Sequence, residues 1–293
     1  MDCIANAAVY LNYYDESILE KDYFVTMFLR SLVSRHPDVI FRGGTALSKC
    51  FKVISRFSED IDLSLNSVGN KPTQSQMRGW KRAIVDTADE LSLRVVNLDK
   101  TRSRREFNLY EIEYNTCYPL YITSKIILVE TSVLTKSFPT KELFASSLIY
   151  EWLKSIGASS VIEQHELHPY KLLVQSIERT FIDKVFALAD YYITKDISKH
   201  SRHIYDLYKI YPMIVFNSDF RNLVSEVRTV RSLHERCVSA KNEVDLRYIL
   251  RLIIDEEVYK ADYEQSTLAL LYEDVSYNEA ITALEKIISD GFF

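Results

Sequence analysis

Hydrophobic residues at helical spacing mark the first long element of the chain, a helix over residues 16–35 that His36-Pro37-Asp38 ends. The continuous apolar run 39–41 predicts a short buried strand leading into Gly43-Gly44. Thr45 is expected to cap a helix of about ten residues, and residues 60–65 are typical of the next strand. The beginning of the chain therefore predicts a helix, a strand, a second helix and a second strand.

The pattern then divides the chain into two halves. Pro72 begins a further helix that runs to about Leu91, and residues 93–98, 107–114 and 125–133 are rich in strand formers. Beyond residue 141 the spacing is helical with almost no strand signal; the predicted helices cover 142–156, 171–194, 199–211, 217–239, 243–260 and 264–289. We predict an α/β (α+β) fold: residues 1–155 form a mixed sheet with helices, and residues 156–293 form a helical domain.

Composition narrows the function classes. Hydrophobic residues make up 47% of the 293 positions, enough for a sizeable core. A net charge of −5 excludes a strongly basic nucleic-acid binder but leaves room for a local basic face. No apolar run reaches the roughly 18 residues of a membrane span, and the N-terminal residues lack the basic start of a secretory signal. The four cysteines are widely spaced, so we expect reduced thiols in the cytoplasm.

Two short motifs carry the candidate chemistry. Gly43-Gly44-Thr45 follows the first strand, and glycine lets backbone N–H groups approach a phosphate at the start of a helix. Asp60 and Asp62 stand two apart on the second strand, so their carboxylates point the same way and can hold Mg²⁺. Each motif has a plainer interpretation, as a tight turn and as a solvated edge strand. Together they favour a site for a nucleoside triphosphate and its metals.

A third carboxylate is needed on a neighbouring strand if two metals are to be held. Glu130 meets this requirement because it is a lone acid ending an otherwise apolar strand. Glu111 and Glu113 are rivals on the preceding strand, although they alternate with apolar residues as an exposed face does. The assignment of Glu130 depends on strand register, since a slip of one residue turns the side chain to the other face.

The motifs resemble a known family. Gly43-Gly44-Thr45-Ala-Leu and Arg56-Phe-Ser-Glu-Asp-Ile-Asp-Leu63 are similar to the AbiEii family of abortive-infection toxins, within the DNA polymerase β-like nucleotidyltransferase superfamily. The resemblance extends to Glu178-Arg-Thr-Phe-Ile-Asp-Lys184 and Arg202-His-Ile-Tyr-Asp-Leu207, and it covers residues from about 39 to 210.

The resemblance implies a role for each matching residue. Asp60, Asp62 and Glu130 would be catalytic metal ligands for Mg²⁺, expected as two ions, and Lys184 would neutralise charge on the nucleoside triphosphate. Asp206 would complete the active site. The candidate nucleotide-binding residues are Gly43, Gly44, Thr45, Lys49, Ser58 and Lys184. The implied reaction is nucleotide transfer to RNA with release of pyrophosphate, in some members at the 3′ end of tRNA. It would block translation until relieved by a cognate antitoxin protein.

The residues of the second half have plainer interpretations as well. Without the resemblance, Lys184 and Asp206 are typical of solvated helix faces, and Arg202 lies one turn from Asp206 and can pair with it. Ser58 is typical of a turn hydrogen bond; a phosphate on it would add about two negative charges beside the carboxylates and block triphosphate binding.

Two basic clusters are candidate RNA contacts or ordinary solvated surface. One consists of Arg102, Arg104 and Arg105; the other consists of Lys195, Lys199, His200, Arg202 and His203. Two other functions stay open at this point. One is nucleotide transfer to a small molecule, and the other is a non-catalytic protein of the same fold that binds a partner.

Overall fold

The computed structural model describes residues 2–11, 15–65, 72–121, 123–133 and 137–293. Its chain forms two compact units, the first made of Met1–Phe51 and Ser58–Gln175 and the second of Lys52–Phe57 and Ser176–Phe293. The sequence had divided the chain at 155/156. The twenty residues after that point stay with the first unit, because they include a strand that joins its sheet.

The first unit is built on a seven-stranded mixed sheet, which confirms the predicted fold class. Its spatial order is β3-β4-β5-β2-β1-β7-β6. The strands are β1 (Val39–Arg42), β2 (Ile61–Leu65), β3 (Arg94–Val95), β4 (Phe107–Glu113), β5 (Ile126–Ser132), β6 (Thr140–Ala145) and β7 (Tyr170–Gln175). β2 runs antiparallel to β1 and parallel to β5, so the central strands carry both kinds of pairing.

Six α-helices of the first unit lie in its described residues. They are α1 (Cys3–Leu11), α2 (Glu16–Arg35), α3 (Gly43–Ala46), α4 (Gln74–Glu90), α5 (Leu148–Ser155) and α6 (Ser159–Gln164), and a π-helix (Leu47–Phe51) continues α3. α2 and α4 pack beside each other, and Leu29, Leu32 and Ile84 are fully buried in the core that these helices share with the central strands. Asp15 caps α2, and Thr73 with Gln76 forms a capping box on α4.

The second unit is helical. Its helices are α7 (Ile177–Thr194), α8 (Arg202–Ile210), α9 (Ser218–Ser232), α10 (Leu246–Asp255), α11 (Lys260–Asp262) and α12 (Tyr277–Asp290), with a π-helix (Tyr263–Thr267) and 3₁₀ turns (Tyr211–Met213, Val238–Ala240, Leu268–Leu270). α8 packs on α7 and α12, and buried Phe181, Leu207 and Leu284 belong to this second core.

Three predicted elements were wrong. The predicted helix 142–156 begins as strand β6, and the predicted helix 171–194 begins as strand β7. The two strands pair antiparallel along their whole length, a long-range contact that helical spacing in the sequence does not reveal. The last helix begins at Tyr277 instead of residue 264, because Ser276 and Glu279 form a capping box there.

No described helix has the length and apolar character needed to cross a membrane.

Candidate active site

Three polar residues form a row across neighbouring strands of the sheet. The register pairs Asp62 on β2 with Arg42 on β1 and with Glu130 on β5. Residues at paired positions project from the same face, so these three side chains share one face of the sheet. The structure therefore brings Glu130 beside Asp62. The rival Glu113 instead forms ion pairs with Arg94 and Lys125.

The pKa of Glu130 reflects its burial and the nearby carboxylates. The pKa of Glu130 is raised to about 7, mainly by burial and further by the negative charges of Asp62 and Asp60. A hydrogen bond with the Asp62 carboxyl acts in the same direction, while the guanidinium of Arg42 opposes it. The group is half-buried and prone to hold a proton that a nearby cation would displace.

Gly43 makes room for the Asp62 carboxylate. Its φ of +79° is unfavourable for residues with a side chain, and a Cβ atom built there would collide with the Asp62 carboxylate. The helix starts at Gly43 with Arg42 as its N-terminal cap, so the prediction that Thr45 caps it was wrong. Gly43 therefore allows the end of β1 to turn directly beside the Asp62 carboxylate.

Thr45 and Ser58 meet next to this turn. Their hydroxyl oxygens lie 2.9 Å apart, and Thr45 is almost fully buried at 1% exposure. Ser58 begins the loop that leads into Asp60 and β2. Within that loop the side chain of Glu59 forms an ion pair with the buried ammonium of Lys21 at 2.5 Å.

Lys49 has a different environment. Its ammonium group pairs with the carboxylate of Asp22 and donates to the Thr26 hydroxyl at 2.6 Å, and the residue is 3% exposed. Asp22 also accepts a hydrogen bond from the backbone N–H of Leu148 at the start of α5. These contacts give Lys49 a structural function in joining α2 to its neighbours.

Lys184 and Asp206 lie together inside the second unit, so their interpretation as solvated residues was wrong. The Lys184 ammonium is 2.6 Å from an Asp206 carboxylate oxygen, and the two side chains are 7% and 0% exposed. Asp206 also accepts two hydrogen bonds from Arg56, from Nε at 2.7 Å and from the terminal nitrogen at 2.8 Å. Two buried cations thus share one carboxylate.

The comparisons with known proteins decide the family. The model of the AbiEii family, described as the nucleotidyl transferase AbiEii toxin of type IV toxin–antitoxin systems, matches residues 27–285. This chain belongs to the AbiEii family. The predicted resemblance is confirmed, and it covers more of the chain than the motifs indicated.

A solved structure agrees with the AbiEii assignment at the level of the fold. The chain is similar to MenT4, a nucleotidyltransferase toxin from Mycobacterium tuberculosis, with a TM-score of 0.57 and 16% sequence identity. The match covers 98% of this chain and 88% of MenT4. A comparison with curated protein sequences gave no match.

The AbiEii activity implies a divalent metal, and the acid side chains suit one chemically. Carboxylate oxygens are the preferred ligands of Mg²⁺, and the crowding at Glu130 is the kind that a divalent cation relieves. Among the described residues, however, no three His, Cys, Asp or Glu side chains surround a common metal position. Glu130 and Asp62 instead share a hydrogen bond.

Burial and neighbouring charges together shift the pKa values of three groups in the second unit. Burial alone raises the pKa of Asp206, but Arg56 and Lys184 outweigh it and hold that pKa well below the usual range of a carboxyl. Burial lowers the pKa of Lys184, and the charge of Asp206 opposes this change. Burial and the positive charge of Lys184 keep the pKa of His203 well below its ordinary value, so His203 is neutral at pH 7. Its Nδ1 lies 3.3 Å from the Lys184 ammonium and accepts a hydrogen bond from it.

Sequence reasoning gave no function to two arginines of this AbiEii protein. Arg42 ends a buried strand directly before the glycine pair, and Arg56 lies two residues before Ser58. Their positions next to the two motifs were the only indication in the sequence that these arginines could matter. Their importance depends on partners that are distant in sequence, Glu130 for Arg42 and Asp206 for Arg56.

Proposed function

We propose that this AbiEii nucleotidyltransferase transfers a nucleotide from a nucleoside triphosphate to RNA in the cytoplasm. The observation that carries the proposal is the row formed by Arg42, Asp62 and Glu130 beside the glycine turn. Phosphoryl transfer is catalysed mainly by positioning and by stabilising charge, which this set of groups suits. Family membership also implies an antitoxin partner.

In the proposed reaction the oxygen of an acceptor hydroxyl attacks the α-phosphorus of the triphosphate. A new oxygen–phosphorus bond forms, the bond to the β-phosphate oxygen breaks, and pyrophosphate leaves with the bonding electrons. The acceptor proton passes to a carboxylate or to solvent. Bound Mg²⁺ would stabilise the developing negative charge.

We assign the residues as follows. Asp60, Asp62 and Glu130 would hold the metal ions, and Gly43, Gly44 and Thr45 would offer backbone N–H groups to the triphosphate. The 2.9 Å contact between Thr45 and Ser58 supports placing Ser58 in the same set. The family motif assigns to Lys184 the neutralisation of charge on the triphosphate, whereas the ion pair of Lys49 with Asp22 gives Lys49 a structural function instead.

RNA is proposed as the acceptor, with the 3′ end of tRNA as the first candidate. The basic loop between β3 and β4 supports this choice, because Arg104 and Arg105 are exposed there. Asn108 holds the loop in shape, since its side chain accepts from the Arg102 backbone N–H at 2.9 Å and donates to the Arg102 carbonyl at 3.1 Å. A fixed loop with exposed cations can recognise the RNA backbone.

The test is incubation of the purified protein with Mg²⁺, total cellular RNA and each triphosphate labelled at the α-phosphate. We expect label on a small RNA, lost in an Asp60→Ala, Asp62→Ala double variant. Label at the γ-phosphate should not transfer, because that phosphate leaves in pyrophosphate. Label on a small molecule would make that molecule the acceptor, and absence of transfer from any triphosphate would contradict the proposal.

The RNA contact is tested in the same assay with Arg104→Glu, Arg105→Glu. The Michaelis constant for RNA should rise about tenfold or more while that for the triphosphate stays constant. The matched comparison is Lys195→Glu, Lys199→Glu in the other basic cluster. Equal effects on both Michaelis constants would count against recognition of RNA by the loop.

A further inference from the structure

A short segment of the chain precedes the loop formed by residues 58–60, which we call the catalytic loop, and belongs to the second unit. Lys52–Phe57 leaves the first unit after Phe51 and returns to it at Ser58. Within the second unit the Phe57 N–H donates to the Leu270 carbonyl at 2.8 Å, and the Tyr272 N–H donates to the Ser55 carbonyl at 2.9 Å. The segment is therefore held by its backbone.

Arg56 adds the side-chain anchor of this segment. Its guanidinium binds both carboxylate oxygens of Asp206 and also donates to the Phe57 carbonyl at 2.9 Å. The side chains of Arg56 and Asp206 are 2% and 0% exposed. Bidentate arginine–carboxylate pairs fix orientation as well as distance, so the backbone around Arg56 has little freedom.

Asp206 is fully enclosed by this arrangement. Arg56 occupies one side of its carboxylate, Lys184 contacts Oδ2 at 2.6 Å, and burial leaves no measurable surface. A carboxylate bound in this way orients its two cationic partners. Removal of Asp206 would leave two buried cations without the carboxylate that binds them both, so Arg56 and Lys184 depend on Asp206 for their positions.

We propose that Arg56 is a positioning residue for the catalytic loop and that Asp206 acts through Arg56 and Lys184. Arg56 lies two residues before Ser58 and four before Asp60, so fixing its backbone restricts where the loop and its carboxylates begin. This inference rests on the proposed function of Asp60 and Asp62, and it gives Asp206 a specific task within it.

The test compares the Arg56→Gln, Asp206→Asn and double variants with the wild-type protein, all as the full-length chain. We expect kcat of Arg56→Gln to fall about 100-fold, as small misplacements of reacting groups do, while the Michaelis constant for RNA stays unchanged. Hydrogen exchange of the amides of residues 58–62 should become faster. The double variant should lose no more activity than the less active of the two single variants, because the two residues act as one unit.

A matched control is Arg231→Gln. Arg231 is another largely buried arginine of the second unit, and it binds Asp183 and Asp190 at 3.3 and 2.7 Å. It should lower stability without changing exchange at residues 58–62 or kcat of the folded protein. If Arg56→Gln fails to fold, Arg56→Lys and the double variant give the same readouts, with an intermediate effect expected for lysine.

The positioning proposal is overturned if a folded Arg56 variant keeps wild-type kcat and wild-type exchange at residues 58–62. It is also overturned if activity merely follows the folded fraction, as in the Arg231→Gln control. Failure of the proposed function looks different: the wild-type protein then transfers no label, or the Asp60→Ala, Asp62→Ala variant still does. In that case hydrogen exchange alone decides whether Arg56 fixes the loop.

Discussion

At the scale of single residues, the properties of Glu130 come from its neighbours on other strands. The sequence identified Glu130 because a lone acid ends an apolar strand, and the register then places it beside Asp62. Its raised pKa was not predictable, because it depends on burial and on charges about seventy positions away in the chain. Arg42 and Arg56 were given no function for a similar reason, because their partners are also far away in the sequence.

Glu130→Gln should make the metal-free protein more stable at high pH. The pKa of Glu130 is about 7 in the folded protein against an ordinary value of 4.5. A raised pKa contributes stability that is complete below the ordinary value and is lost as pH rises through about 7. Between pH 5 and pH 8 the wild type should therefore lose on the order of 1–3 kcal/mol more than the variant.

Urea denaturation in a chelator at both pH values measures this difference. Glu111→Gln on the neighbouring strand is the matched control and should follow the wild type. Parallel dependence on pH in the wild type and in Glu130→Gln would show that the three acids do not crowd one another.

At the scale of elements, helices and strands with clear local sequence signals were predicted well, whereas strands that depend on long-range pairing were missed. α2 has the predicted bounds, and β1 and β2 differ from prediction by one residue each. β6 and β7 were missed because each is stabilised mainly by its partner strand, and a short apolar run fits a helix or a strand equally. The turn at Gly43 was recognised, but its close approach to Asp62 needs the folded sheet.

Gly43→Ala should abolish activity and lower stability. The added methyl group must displace the Asp62 carboxylate, and the positive φ is strained for alanine, so we expect a loss of about 1–3 kcal/mol. Thermal unfolding and the nucleotide-transfer assay measure both effects. The control is Gly79→Ala on α4, where a Cβ meets nothing within 4 Å and alanine should stabilise the helix. Full activity in Gly43→Ala would remove Asp62 from the proposed site.

At the scale of the whole molecule, the predicted site residues are distributed over both units. The carboxylates and the glycine turn belong to the first, whereas Lys184 and Asp206 belong to the second together with Arg56. The sequence predicted a sheet half and a helical half. It did not predict that Lys52–Phe57 belongs to the helical unit, because that segment carries no periodic pattern and its partners lie 150 to 217 positions later.

Calorimetric titration of each nucleoside triphosphate, with and without Mg²⁺, tests the central claim most directly. The claim is that Asp60, Asp62 and Glu130 hold the metal-bound triphosphate. We predict binding of at least one triphosphate that requires Mg²⁺ and weakens at least about tenfold in Asp62→Asn. Glu111→Gln should bind as the wild type does. Equal affinity in the wild type and Asp62→Asn, or binding that does not depend on Mg²⁺, would contradict the account.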